Sequence, residues 1–186
     1  YNVGCALRAF ALIQRRFPDA SLTVAGDGSQ RAALERLARE LGLRNTTFVG
    51  RVDQGRMPEL YNRADIYLNS SDIDNMPVSL IEAYAAGCPV VTTDAGGIPY
   101  MLAHEETGLL VKRGDHEALA AAAIRLLEDD ALAQRLTANA IAACRTYSWA
   151  AVRDEWLKLY YELATNNSNA TEEAAITSHV GSKTNA

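Results

Sequence analysis

The strongest constraint on this chain is the regular alternation of short apolar runs with amphipathic helical stretches. Apolar residues recur at helical spacing over about 3–16, with Ala6, Leu7, Phe10, Ala11 and Ile13 on one stripe, and the run Leu22-Thr23-Val24-Ala25 follows. The pattern continues as helix about 29–42, strand about 46–49, short helix about 56–63, strand about 66–69, helix about 77–86, strand about 89–92, short helix about 98–103 and strand about 108–111. Helices over about 115–128, 130–145 and 148–164 close it. Strands that alternate with helices are joined by crossovers, which parallel pairing requires and which lay helices over the sheet. The expectation is an α/β domain: a parallel sheet with helices on both faces. Leu22–Ala25 and Pro89-Val90-Val91-Thr92 read as its buried central strands.

A chain of 186 residues suffices for one such domain, and 48% hydrophobic with 22% charged residues is the balance of a globular protein. The net charge of -5 argues against nucleic acid or an anionic membrane as a partner, since both select a basic face. It leaves room for a small phosphorylated ligand held by backbone amides and a few cations. Cys5, Cys88 and Cys144 lie far apart with no C-x-x-C pair, so neither a disulfide framework nor a zinc site is expected, and a reducing compartment is. From Thr165 onward the sequence turns small and polar with no periodic apolar face. Residues 165–186 are therefore expected to be a disordered tail and 1–164 the domain. Its two N-x-S/T matches, at Asn166 and Asn169, read as chance in the absence of a secretory signal. There is no starting Met and the chain opens directly into a helix, so it is expected to be a piece of a longer protein.

Four segments can carry chemistry. Ala25-Gly26-Asp27-Gly28-Ser29 joins a strand to a helix at the carboxyl end of the strand, where open α/β sheets bind ligands and where glycine lets a ligand approach the backbone. It reads equally as a tight turn with Asp27 or Ser29 capping the helix. Thr47-Phe48-Val49-Gly50-Arg51-Val52 ends a strand in a glycine followed by a cation. Thr92-Thr93-Asp94-Ala95-Gly96-Gly97-Ile98-Pro99 ends the next βα unit in a Gly-Gly turn beside the same crevice.

The most informative segment is Asn69-Ser70-Ser71-Asp72-Ile73-Asp74-Asn75-Met76-Pro77-Val78-Ser79-Leu80-Ile81-Glu82-Ala83. A strand runs into a polar loop, and Pro77 opens a helix where proline is best tolerated. The first amides of that helix have no intrahelical partner and, with the helix dipole, form an anion site, so a pyrophosphate can lie on the N–H groups of Val78 and Ser79. Glu82 lies five residues past Pro77, roughly 7–8 Å along the axis, at the distance of a nucleoside. There its carboxylate can accept from two ribose hydroxyls, while Asp74 at the loop end can meet a sugar. The competing reading makes Asp74 a helix cap and Glu82 a surface charge favoured by the dipole.

Taken in order and spacing, A-G-D-G, T-F-V-G-R-V, D-N-M-P-V-S-L-I-E-A, A-G-C-P-V-V-T-T-D-A-G-G-I-P and H-E-E-T-G-L-L-V resemble the C-terminal domain of family-four retaining glycosyltransferases of the GT-B fold, over about residues 3–164. The resemblance implies a Rossmann-like, donor-binding domain for a UDP-, GDP- or ADP-sugar, facing a second, acceptor-binding domain that precedes it. The family's paired acids fall on Asp74 and Glu82. Glu82 would hold the ribose and Asp74 the transferred sugar, with Asn75, Met76, Pro77, Val78 and Ser79 on sugar and phosphates. The backbone of Arg51 and Val52 would meet the base, and Gly26 and Gly28 would leave room for the donor. Transfer would retain anomeric configuration without a metal, the leaving diphosphate being stabilised by positive charge and helix amides.

Three departures from the family's pattern stand out. Tyr1-Asn2 occupies the place of a Lys-Gly pair, Asp74 shortens the first acid by one methylene, and Tyr100 stands where G-I-P is commonly followed by Glu. The first strand and a phosphate-binding Arg are expected upstream of Tyr1. Two other readings share the motifs: a sugar-nucleotide 2-epimerase, and a non-catalytic nucleotide-sugar binding module. The protein is expected in the cytoplasm, touching the inner face of a membrane only through the missing domain.

Overall fold

The structure, a computed structural model, describes residues 1–180. Helix α1 (Val3–Arg16) leads to strand β1 (Leu22–Ala25), α2 (Arg31–Glu40), β2 (Thr46–Gly50), α3 (Met57–Arg63), β3 (Tyr67–Asn69), α4 (Val78–Ala85), β4 (Val90–Thr93) and β5 (Leu109–Val111). Helices α5 (His116–Glu128), α6 (Asp130–Cys144) and α7 (Trp149–Val180) follow. Every strand read from the sequence is present within two residues. The expected helix at 98–103 is a single 3-10 turn, Ile98–Tyr100.

The ladders between these strands are all parallel, as expected, but among the described residues they form two sheets: β1 with β2, and β3-β4-β5. Val90 and Val91 explain why β4 is the central strand of the second. Successive side chains point to opposite faces, and here Val91 packs with α1 and α5 residues such as Phe10, Leu119 and Ala123, while Val90 packs with Leu80, Ala83 and Tyr84 of α4. Both faces are covered, and all four β4 residues are buried.

Strand β1 does not match the expectation of a buried central strand. Among the described residues it pairs along one edge only, and burial alternates, with Leu22 and Val24 turned inward and Thr23 and Ala25 exposed. One covered face yields alternation rather than continuous burial.

The chain divides into two compact units, Tyr1–Cys144 and the segment from Arg145 onward. In the second unit α7 runs to Val180 instead of ending at 164, since no Gly or Pro interrupts 149–180. Residues 181–186 of the expected tail lie outside the described residues. Among the described residues no helix is long and apolar enough to cross a membrane.

Leu119 is fully buried at the centre of the α1–α5–β4 core. Leu119→Ala should cost about 2–5 kcal/mol. In urea the unfolding midpoint should fall at an unchanged slope; an unmoved midpoint would mean that this core does not limit stability.

Candidate functional site

The loop after β3 and the start of α4 form the best-built site. Asn69, Ser70 and Ser71 are buried, and polar groups from each hold the loop: Ser71 N–H donates to Asn69 Oδ1 (2.9 Å), Ser70 Oγ lies 2.9 Å from the Asn2 carbonyl, and Thr93 Oγ1 donates to the Ser71 carbonyl, while the buried Ser71 hydroxyl has no hydrogen-bond partner among the described residues. Pro77, with φ -65° and ψ 115°, is the N-cap rather than the first helical residue. The first helical-type bond is Leu80 N–H to the Pro77 carbonyl, so the amides of Val78 and Ser79 have no intrahelical acceptor. No side chain caps this helix, which removes the capping role open to Asp74. Asp74 is half-buried and Asn75, Met76 and Val78 are exposed around the helix start.

Glu82 is not a free surface charge. It is half-buried, and the Tyr61 hydroxyl lies 3.0 Å from its Oε2. Tyr61 meets Tyr67 edge-on, ring centroids 5.7 Å apart, and the Tyr67 hydroxyl is 2.7 Å from Ser79 Oγ. Burial pushes the Tyr67 phenol up to about 12 and the Tyr61 phenol higher still, the latter helped by Tyr67 and by its bond to Glu82. Both remain proton donors at neutral pH.

A separate cleft of about 230 Å³ is lined by Ala25, Gly26, Asp27, Arg51, Val52 and Met57. The structure thus brings together the first two motifs, at the carboxyl ends of β1 and β2. Gly26 has φ +124°, closed to most side chains, and nothing lies within 4 Å of a Cβ placed at Gly26 or Gly28. The Asp27 carboxylate accepts from the Gly28 amide (2.8 Å), and α2 has no side-chain cap. Neither Asp27 nor Ser29 is the capping residue of the alternative reading. Among the described residues no three His, Cys, Asp or Glu side chains gather as a metal-ligating set.

Residues 1–143 match the family model described as glycosyl transferases group 1. This chain belongs to the group 1 glycosyl transferases. It is 32% identical over 170 residues to a phosphatidyl-myo-inositol mannosyltransferase from Mycobacterium leprae, covering 90% of this chain and 44% of that protein. It is 36% identical over 135 residues to a glycogen synthase from Mycobacterium tuberculosis, covering 72% and 33%. The chain therefore spans less than half the length of these relatives. Among solved structures, sucrose-phosphate synthase from Thermosynechococcus elongatus superposes with a TM-score of 0.76 at 30% identity, covering 86% of this chain and 42% of that one. The C-terminal domain of the glycosyl transferase group 1 protein LpcC from Francisella tularensis superposes at 0.70 and 25% identity, covering 77% of each chain.

Against this glycosyl transferase framework, one departure has a structural account. Asn2, at the place of the family's glycine, adopts φ +44°, a conformation Asn tolerates better than most residues. Its side chain accepts from Cys5 N–H (3.2 Å) and donates to Asp72 Oδ1 (3.1 Å), so it caps α1 and ties the β3–α4 loop to it. Tyr100 is exposed.

Three supports were missed by sequence reasoning. The Gly-Gly turn touches the β3–α4 loop directly: Gly97 N–H donates to the Asp74 carbonyl (2.9 Å), and a Cβ at Gly97 would lie 1.9 Å from the Asn75 carbonyl oxygen. Its glycines serve a backbone contact, which the G-G doublet hinted at. Asp94 receives Lys112 Nζ (2.7 Å) and the Arg113 amide (3.1 Å), and Arg113 reaches the Asp72 carbonyl (3.4 Å). No pattern in the sequence announces this clasp, whose members are 18 to 41 residues apart. Tyr61 is the third omission.

Gly97→Ala should cost about 1–3 kcal/mol, because the backbone of Asn75 must retreat, whereas Gly28→Ala should change the melting temperature little. Equal melting temperatures for the two variants would show that the loops do not touch. Lys112 and the Arg113 amide hold the Asp94 carboxyl below its ordinary value of 3.8. A lowered folded-state value contributes stability above 3.8 that is lost as pH falls through the folded value. Asp94→Asn should therefore flatten the acid side of the stability profile; an unchanged profile would place the clasp outside the folded state in solution.

Proposed function

We propose that this chain is the donor-binding domain of a retaining glycosyltransferase that takes a sugar from a UDP-, GDP- or ADP-sugar. The observation that supports this most is α4: two amides without intrahelical acceptors at its start, and a half-buried, hydrogen-bonded carboxylate at Glu82 further along the same helix. A diphosphate on the amides of Val78 and Ser79 would place a ribose near Glu82, and the helix dipole would favour the anion. Asp74 and Asn75 would meet the transferred sugar, and the cleft beside Gly26, Arg51 and Val52 would take the base. As the glycosidic bond breaks, the same amides would stabilise the charge gathering on the leaving diphosphate, so the proposal requires no metal or other cofactor. The acceptor would come from a second domain of the whole protein. Membership of the group 1 glycosyl transferases, with relatives named for mannosyl and glycosyl transfer, supports sugar transfer over epimerisation.

Glu82 and Asp74 should fail differently. Glu82→Ala should weaken both the nucleoside diphosphate and the nucleotide-sugar by roughly 1.5–3 kcal/mol, the scale of a hydrogen bond to a charged group. Asp74→Ala should spare the nucleoside diphosphate and weaken only the sugar-nucleotide. Calorimetry with UDP, GDP and ADP and their glucose and mannose forms, on chains verified as folded, separates the two. Equal and negligible effects of both changes would return these acids to the surface and sink the donor reading.

A further inference from the structure

The Tyr61 phenol is more than a packed ring. It lies in the short helix α3, is 6% exposed, and has two oxygen acceptors within reach: Glu82 Oε2 at 3.0 Å and the Ser79 carbonyl at 3.2 Å. A phenol has one proton to donate. A buried hydroxyl needs one acceptor, and the Ser79 carbonyl alone would satisfy it. The carboxylate is therefore surplus to the needs of the tyrosine, so the contact is to be explained from the side of Glu82.

An ionised carboxylate accepts only, so Tyr61 donates to Oε2. A bond to a charged acceptor is stronger than one to a neutral carbonyl, which directs the single proton to Glu82. Glutamate has three side-chain torsions and loses considerable freedom when held. A fixed Oε2 leaves Oε1 and the remaining lone pairs of the group in one orientation at the half-exposed surface of α4. The donor itself is held: the Tyr61 ring is braced by Tyr67 at an interplanar angle of 64°, and Tyr67 is bonded to Ser79 of α4. A loop of contacts, α3 to β3 to α4 and back to α3, closes on one carboxylate.

We propose that Tyr61 is a positioning residue for the ribose subsite: its hydroxyl orients the Glu82 carboxylate so that the free oxygen meets the ribose hydroxyls of a nucleoside diphosphate. The inference rests on the donor reading above and adds to it a residue from outside the motif. Tyr61 itself touches no ligand. It acts through preorganisation, by removing freedom that Glu82 would otherwise lose on binding.

The test is Tyr61→Phe, which keeps the ring and its edge-on contact. Titrations monitored by ligand NMR use UDP, GDP and ADP, then the 2′,3′-dideoxy form of whichever binds most tightly. Tyr61→Phe should weaken the ribonucleoside diphosphate about three- to tenfold, within the span of single hydrogen-bond effects, and leave the dideoxy form unchanged. In a Glu82→Ala background the same change should have no further effect, as a coupled pair requires. Equal weakening of both ligands, or weakening that persists without Glu82, would make Tyr61 a packing residue and overturn the proposal. If Glu82→Ala weakens binding and Tyr61→Phe does not, this inference alone falls. If the unaltered chain binds none of the three diphosphates, the donor reading falls with it. The Tyr61 ring resonances of the unaltered chain give a second measurement that needs no folded variant. They should shift with the ribonucleoside diphosphate and stay in place with the dideoxy form, and any other pattern counts against the role.

Discussion

Strand β4 is the constraint on which the first unit depends. Its side chains are buried on both faces, Val91 in the core with α1 and α5 and Val90 in the core with α4, so it cannot slide by one residue without exchanging the two cores. It also holds β3 and β5 in parallel register, Leu68 opposite Val91 and Val91 opposite Leu109. Parallel strands in register end together. The segments that follow β3 and β4 consequently leave from the same edge and meet as backbone, Gly97 against Asp74 and Asn75. Glycine at 96 and 97 follows from that meeting, since a Cβ at either would lie about 2 Å from a carbonyl oxygen, at 2.0 and 1.9 Å.

The same edge concentrates the buried polar groups. Asn69, Ser70, Ser71, Thr92 and Thr93 are the buried polar residues of the described chain, and all lie at the carboxyl ends of β3 and β4 or just beyond. Removing such groups from water is costly unless they are bonded, and most of their bonds cross between segments: Thr93 to Ser71, Ser70 to the carbonyls of Tyr1 and Asn2. Asn2 and Arg113 grip Asp72 from two further directions. The loop that presents Asp74 and Asn75 is thus held by backbone and polar contacts, while the helix it feeds is seated by Leu80, Ala83 and Tyr84. A rigid seat for free amides is what an anion site needs, and it is assembled from four segments of the chain.

The element order, the parallel α/β class, the loop-to-helix transition at Pro77 and the placement of the Gly26 and Arg51 segments at strand ends were legible from periodicity and punctuation alone. These are local properties: the 3.6 and 2.0 periods, glycine's freedom at positive φ and proline's missing N–H act within a few residues. Two misreadings also come from local pattern. Leu22–Ala25 has the composition of a central strand, yet only one of its edges is paired among the described residues, and pairing belongs to the neighbours rather than the strand. The helix expected to end at 164 continues because loss of an apolar stripe does not itself break a backbone that has neither Gly nor Pro.

By itself, the sequence determined which residues form strands and helices, which strand is central in the second sheet, and that Asp74 and Glu82 flank a helix start, because each follows from chain-local chemistry. The partners of Glu82 and of Asp72 in the same loop-and-helix segment were decided only in three dimensions. Tyr61 lies 21 residues from Glu82, Asn2 lies 70 from Asp72, and Arg113 lies 41 from it. A hydrogen bond forms within about 3 Å of space whatever the distance along the chain, so no spacing rule could announce these pairs before the parallel sheet had brought their segments to one edge.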